Sequence, residues 1–177
     1  RTAAELSVAE DNGIAGYASL FGAPDQSGDI VEQGAYARSL TAARAAGRRV
    51  KMLWQHDPAE PIGIWDEVRE DDRGLYVKGR LLPDVARARE AAALIAAGAL
   101  DGLSIGYRTL RATKNDQGQR LLSEVELWEV SLVTFPMLPQ ARIAQASADE
   151  AKAQADLADL ATVFENARRK LAARQPR

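Results

Sequence analysis

Apolar and polar positions along the 177 residues fall into short runs broken by glycine and turn residues, with a few stretches of helical spacing. Residues 13–22 alternate loosely between glycines and predict a strand. Pro24-Asp25-Gln26-Ser27-Gly28-Asp29 is turn chemistry and predicts a polar loop. Residues 34–46 read as a helix, with Tyr36, Leu40 and Ala43 on one face and Gly47 as the stop. Val50-Lys51-Met52-Leu53-Trp54 predicts a short strand that delivers His56 to a loop at Asp57-Pro58. Strands over 62–68 and 75–82 follow, joined through Asp71-Asp72-Arg73-Gly74 as an antiparallel hairpin. Pro83-Asp84 opens a second helix, with Asp84 as N-cap, Gly98 as stop, and Val85, Leu94 and Ile95 toward the sheet. Asp101-Gly102 leads into a strand over 103–110, which Asn115-Asp116-Gln117-Gly118 turns back into residues 120–134.

The count is about six or seven strands and two helices, linked mostly by hairpins. That order predicts a mainly β, α+β fold, an antiparallel barrel flanked by helices rather than a doubly wound parallel sheet. From about residue 140 the composition changes. Residues 147–174 are Ala-rich and charged, without Gly or Pro, and Leu157, Leu160, Phe164, Ala167 and Leu171 form an apolar seam. The expected organisation is a barrel domain over 1–146 and a tail helix over 147–177, with a linker near 141–148.

Composition removes several classes of chemistry. A hydrophobic fraction of 46% and a charged fraction of 27% are ordinary for a globular domain. The net charge of −2 advertises no general affinity for nucleic acid or anionic membrane, and the Arg48-Arg49 and Arg168-Arg169-Lys170 clusters are too short to change that. With no cysteine there is no disulfide, thiolate zinc site or cysteine nucleophile. No apolar run approaches the ~20 residues of a membrane span, and the N-terminus lacks a secretory pattern, so a cytosolic protein is expected. Neither a Walker loop nor a dinucleotide fingerprint is present. Asp25, Asp29 and Asp57 offer oxygen ligands, but scattered loop acids are usually turn-formers.

His56 is the single histidine, and so the one side chain whose unperturbed pKa, ~6.5, suits proton transfer near neutral pH. Taken alone it reads as a rim histidine beside a proline turn. Among the hydroxyls, Ser104 stands out in Gly102-Leu103-Ser104-Ile105-Gly106, with small residues two away on either side that leave room for a substrate backbone. Spacing alone favours the alternative, a serine filling a tight barrel corner. Residues 121–133 carry Glu124, Glu126 and Glu129. Alternation places Glu129 with Val125, Leu127 and Val133, and Glu126 with Glu124, Trp128 and Val130 on the other face. Glu129 and Glu126 are therefore not expected to serve one site. A glutamate between Trp128 and Val130 is costly to bury unpaired, and a hydrogen bond to an imidazole would account for it; an edge position reaching water is the alternative.

Taken in order, these motifs carry a resemblance. The chain resembles the prohead (capsid maturation) serine proteases of tailed bacteriophages and related gene-transfer particles, themselves similar to herpesvirus assemblins. The likeness spans roughly residues 14–143. It rests on Gly16-Tyr17-Ala18, Asp25…Gly28-Asp29-Ile30, Gly34-Ala35-Tyr36, Leu53-Trp54-Gln55-His56-Asp57, Gly102-Leu103-Ser104-Ile105-Gly106-Tyr107 and Trp128-Glu129-Val130-Ser131-Leu132-Val133-Thr134-Phe135-Pro136. The resemblance implies a serine endopeptidase on a helix-flanked β-barrel, with Ser104 as nucleophile and His56 as base. Herpesvirus relatives use a second histidine as third member. This chain has none, so a carboxylate must substitute: Glu129 by the phage pattern, with Glu126 as fallback. No cofactor or metal is implied. Such enzymes act inside the immature capsid within the bacterial host cytoplasm, trimming major capsid protein or scaffold segments and often themselves. The tail seam is a candidate for pairing two copies. The competing class is a non-enzymatic scaffold module with Ser104 as a packing residue.

Overall fold

The computed structural model describes residues 12–144. The expected tail helix over 147–177 lies outside the described residues. The elements run β1 (Gly13–Leu20), β2 (Asp29–Val31), α1 (Ala37–Ala45), β3 (Lys51–Trp54), β4 (Asp57–Glu70), β5 (Gly74–Leu81), α2 (Ala86–Ala96), β6 (Gly102–Lys114) and β7 (Arg120–Val133). No described helix is long and apolar enough to cross a membrane.

The fold is mainly β, a seven-stranded sheet in the order β1-β5-β4-β3-β7-β2 with β6 also paired to β7. It curls into a half-barrel flanked by two helices. The sheet is mixed, which corrects the antiparallel expectation: β3 and β2 both run parallel to β7. Hairpins make only local antiparallel pairs, whereas β3 and β7 are separated by β4, β5, α2 and β6, a crossover long enough for parallel pairing. The gap between β1 and β6 is spanned by residues 142 and 143, where Ile143 bridges Gly16 and Arg142 bridges Gly102. Residues 141–144 are thus part of the sheet's hydrogen bonding rather than linker.

β7 is the central strand. β6 pairs along its whole length on one edge, while β2 and β3 take the two ends of the other. Between those ends α1 and the segment leading into it satisfy the amides that no strand pairs. Val125 N–H donates to the Ala35 carbonyl at 3.0 Å and Leu127 N–H to Ser39 Oγ at 2.9 Å. A strand edge left open there would present unpaired donors. The main core lies inside the curl, with Met52, Ile62, Trp65, Leu75, Val77, Leu103, Val125, Val130 and Leu132 all buried.

Local corrections have local causes. The loop over 24–29 contributes Asp29 to β2, which pairs with Arg120. α2 begins at Ala86, with Val85 rather than Asp84 at the cap and no side-chain capping bond. The Val85 carbonyl already accepts from Ala88 and Arg89, so the helix starts on that residue. Leu94 is exposed, while Ile95 is buried. Gly47 and Gly98 end the helices with φ of 63° and 71°, the left-handed conformation that favours glycine.

Candidate active site

The candidate residues are carried by the β3–β4 turn and by the paired strands β6 and β7. His56 does not lie in a loop at Asp57-Pro58, because β4 begins at Asp57, directly paired with Trp54. Gln55 and His56 are the two central residues of a tight hairpin turn, with φ of 50° and 62°. Positive φ at both positions is the type I′ signature, usually filled by Asn-Gly. For two side-chain-bearing residues it costs roughly 1–2 kcal/mol each. Neighbouring groups hold it. Gln55 N–H donates to the Leu132 carbonyl at 2.9 Å and Gln55 Nε2 to Thr134 Oγ1 at 2.8 Å. His56 N–H donates to Ser131 Oγ at 3.1 Å. Strained backbone of this kind is a known companion of functional sites.

Glu129 and His56 form a close pair, with His56 Nδ1 2.6 Å from Glu129 Oε1. The Ser131 hydroxyl donates to the other carboxylate oxygen, Oε2, also at 2.6 Å. Glu129 is only 7% exposed and Ser131 0%, so this carboxylate is buried with both oxygens bonded. That answers the cost of burying a charge, since each oxygen has a specific partner. Because the carboxylate oxygen only accepts, the hydrogen of this contact is on Nδ1, which leaves Nε2 as the ring nitrogen that faces away from Glu129.

The side of the sheet on which Glu129 lies departs from simple alternation. In the β6–β7 register Gly106 faces Glu129 but Tyr107 faces Leu127, so Trp128 is an extra residue, a β-bulge. Val125 and Leu127 point into the core before the bulge, and Val130 and Leu132 do so after it. Glu126 and Glu129 therefore lie on the same, non-core side, which corrects the expectation that parity separates them. What separates them is a partner: Glu126 Oε2 is 2.7 Å from Arg108 NH2 on β6. Arg108 is accordingly a surface cation. Trp128 itself is 52% exposed.

Ser104 stands directly opposite Ser131 in the antiparallel β6–β7 pair, and so on the same side of the sheet as Ser131, Glu129 and Gly106. It is 5% exposed and lines a cleft of about 160 Å³ together with Ser19, Asp29, Tyr107 and Met137. Among the described residues the Ser104 hydroxyl forms no hydrogen bond, so its link to His56 is one of register, through Ser131. Gly106 has a different role from the one spacing suggested. A Cβ there would lie 2.0 Å from Glu129 Oε1, so the glycine leaves room for the carboxylate rather than for a substrate. Gly102 meets the Val133 carbonyl and Pro136 in the same way.

The other acids are turn-formers or paired. Asp25 Oδ1 accepts from the Ser27 and Asp29 amides, Asp57 Oδ1 accepts from Ala59 N–H, and Asp29 pairs with Arg120 at 2.7 Å. Among the described residues no group of three or more acids and histidines is placed to hold a metal. Two contributors escaped sequence reasoning. Ser131 is one, although the Glu-x-Ser spacing puts its side chain beside Glu129 on one face. The other is the Gln55–Thr134 tie, for which no local pattern exists.

The fold is similar to the folds of two solved viral proteases. The structure of the bacteriophage T4 capsid assembly protease superimposes with a TM-score of 0.58 over 68% of this chain and 80% of that one, at 16% identity. The protease of KSHV, solved with a hexapeptide phosphonate inhibitor, does so with a TM-score of 0.52 over 83% of this chain and 76% of that one, at 13% identity. Sequence supplies the family. The model for the caudovirus prohead serine protease matches residues 2–156, and the chain belongs to that family. The prohead protease of Enterobacteria phage HK97 is 36% identical over 132 residues, 73% of this chain. The match spans 57% of that relative's length.

Proposed function

We propose that this chain is a serine endopeptidase of prohead maturation, with Ser104 as nucleophile, His56 as general base and Glu129 as the acid that orients it. The observation that carries this reading is the 2.6 Å contact from His56 Nδ1 to Glu129 Oε1, on a strand whose neighbour presents Ser104. In the neutral ring a carboxylate on Nδ1 selects the tautomer whose proton is on Nδ1, so that Nε2 is the nitrogen that can accept a proton.

In the proposed reaction His56 Nε2 takes the Ser104 Oγ proton as that oxygen attacks a peptide carbonyl. Glu129 stabilises the imidazolium without taking its proton. The proton passes to the leaving amine, the C–N bond breaks, and an acyl-Ser104 ester remains. Water, activated by the same imidazole, then hydrolyses it. Family membership supports the major capsid protein or a scaffold segment as substrate, cleaved inside the immature capsid in the bacterial host. A protease domain over 1–146 with a separate tail over 147–177, able to pair two copies, belongs to this proposal.

A serine-directed peptide phosphonate tests the assignment. Labelling at Ser104, abolished by Ser104→Ala and by His56→Ala, supports it. Undiminished processing of a co-expressed capsid protein by either variant would end it.

A further inference from the structure

We infer that Ser131 is a positioning residue whose hydroxyl fixes both the Glu129 carboxylate and the backbone of the His56 turn. This rests on the peptidase reading above and adds a fourth side chain to it. A serine hydroxyl has one hydrogen to donate and two lone pairs. An ionised carboxylate only accepts, so the Ser131 hydrogen goes to Glu129 Oε2, at 2.6 Å. A lone pair of the same oxygen accepts His56 N–H at 3.1 Å.

The consequence is geometric. A carboxylate held at one oxygen can still swing about its side-chain torsions. Held at Oε2 by Ser131, it keeps Oε1 on His56 Nδ1. The same hydroxyl ties down the amide of His56, whose φ of 62° the chain would otherwise relax. Base and acid are thus referred to one buried oxygen, on a residue that lies directly across the strand pair from Ser104. A serine that merely filled space would need no such pair of bonds, since alanine fills nearly the same volume.

The single histidine makes the test clean, because every imidazole NMR signal belongs to His56. The full chain is prepared as wild type, Ser131→Ala, Ser131→Thr and Ser131→Val, with Ser104→Ala as control. Thr keeps the hydroxyl, and Val has the shape of Thr without it. This pair preserves the comparison if the alanine variant folds poorly. Removing the donor leaves more negative charge on Oε1, which favours the protonated imidazole. The hydroxyl-free variants are expected to label with peptide phosphonate roughly tenfold or more slowly. Their His56 NMR titration midpoint, and the acid limb of labelling rate against pH, are expected to move to higher pH. Ser131→Thr is expected to stay near wild type in both. An unmoved midpoint in both Ala and Val variants, or a Thr variant that behaves as Val does, overturns the inference. If wild type fails to label at Ser104, the peptidase reading falls, and the midpoint comparison in the Ser104→Ala background still decides the role of Ser131.

Discussion

Gly106 and Glu129 face each other across β6 and β7 so closely that a side-chain carbon on the glycine would lie 2.0 Å from Glu129 Oε1. The carboxylate occupies the volume every other amino acid would need. The backbone of β6 is extended at this point, so the requirement is one of space and not of an unusual φ.

Gly106→Ala is therefore expected to displace the carboxylate from His56 while leaving the sheet paired. Misplacing a catalytic group by about 1 Å costs on the order of a hundredfold. The expected outcome is a phosphonate labelling rate about a hundredfold lower, with the thermal midpoint reduced much less. A variant that labels at the wild-type rate would show that the added carbon does not displace the carboxylate from His56.

Glu129→Gln and Glu126→Gln separate the two glutamates. An amide at 129 presents a donor to Nδ1 or turns its oxygen away, and the first case favours the wrong imidazole tautomer. The loss expected is on the order of 10³–10⁴ in turnover, by analogy with the orienting acid of serine proteases generally. Glu126 pairs with an Arg108 side chain that is 62% exposed. Surface pairs contribute at most ~1 kcal/mol, so Glu126→Gln is expected to leave cleavage of the co-expressed capsid protein within about twofold of wild type.

How far this site was legible in the sequence depends on whether a feature is local. Ser104, His56 and Glu129 could be named because each sits in a recognisable run, and the strands carrying them were read to within a few residues. The side on which Glu129 emerges was not legible. Period-two alternation presumes one residue opposite one, and the extra residue at Trp128 is a property of the β6–β7 pairing rather than of either strand. The His56 turn was hidden for a similar reason. Gln-His is no type I′ signal, and the turn is held by Ser131, Leu132 and Thr134, more than seventy positions away. The parallel pairing of β3 with β7 is likewise a long-range outcome. Ser131 could have been found, because Glu129 and Ser131 share a face whichever face that is.

The Trp65 indole ties the core to the strand that carries the acid. Its Nε1–H donates to the Val130 carbonyl at 3.1 Å, between Glu129 and Ser131 in the chain, and both partners are buried. Trp65→Phe keeps most of the apolar area but removes the donor. The expected loss is about 1–3 kcal/mol in urea unfolding, the cost of an unpaired buried carbonyl. A change below ~0.5 kcal/mol would mean the carbonyl finds another partner.

Asp71 sets a pH dependence remote from the site. It closes the β4–β5 turn with four hydrogen bonds. Oδ2 accepts from Tyr17 OH at 2.8 Å and Arg69 NH1 at 2.7 Å, and Oδ1 from the Arg73 and Gly74 amides at 2.9 and 3.1 Å. Burial pushes its carboxyl up, but the hydrogen bonds from Tyr17, Arg73, Arg69 and Gly74 together outweigh it and hold the pKa at about 2. A carboxylate whose folded pKa lies below its unfolded value, here 3.8, contributes stability that is fully present above the unfolded value. That contribution is lost as pH falls from about 4 through about 2. Asp71→Asn cannot titrate and loses acceptor capacity at the turn. Its thermal midpoint is expected to lie below wild type at neutral pH by a constant margin down to about pH 5. The margin then narrows toward pH 2, where the wild-type carboxyl takes up its proton. A margin that stays constant down to pH 2 would show that the stabilisation at this turn does not depend on the charge of Asp71.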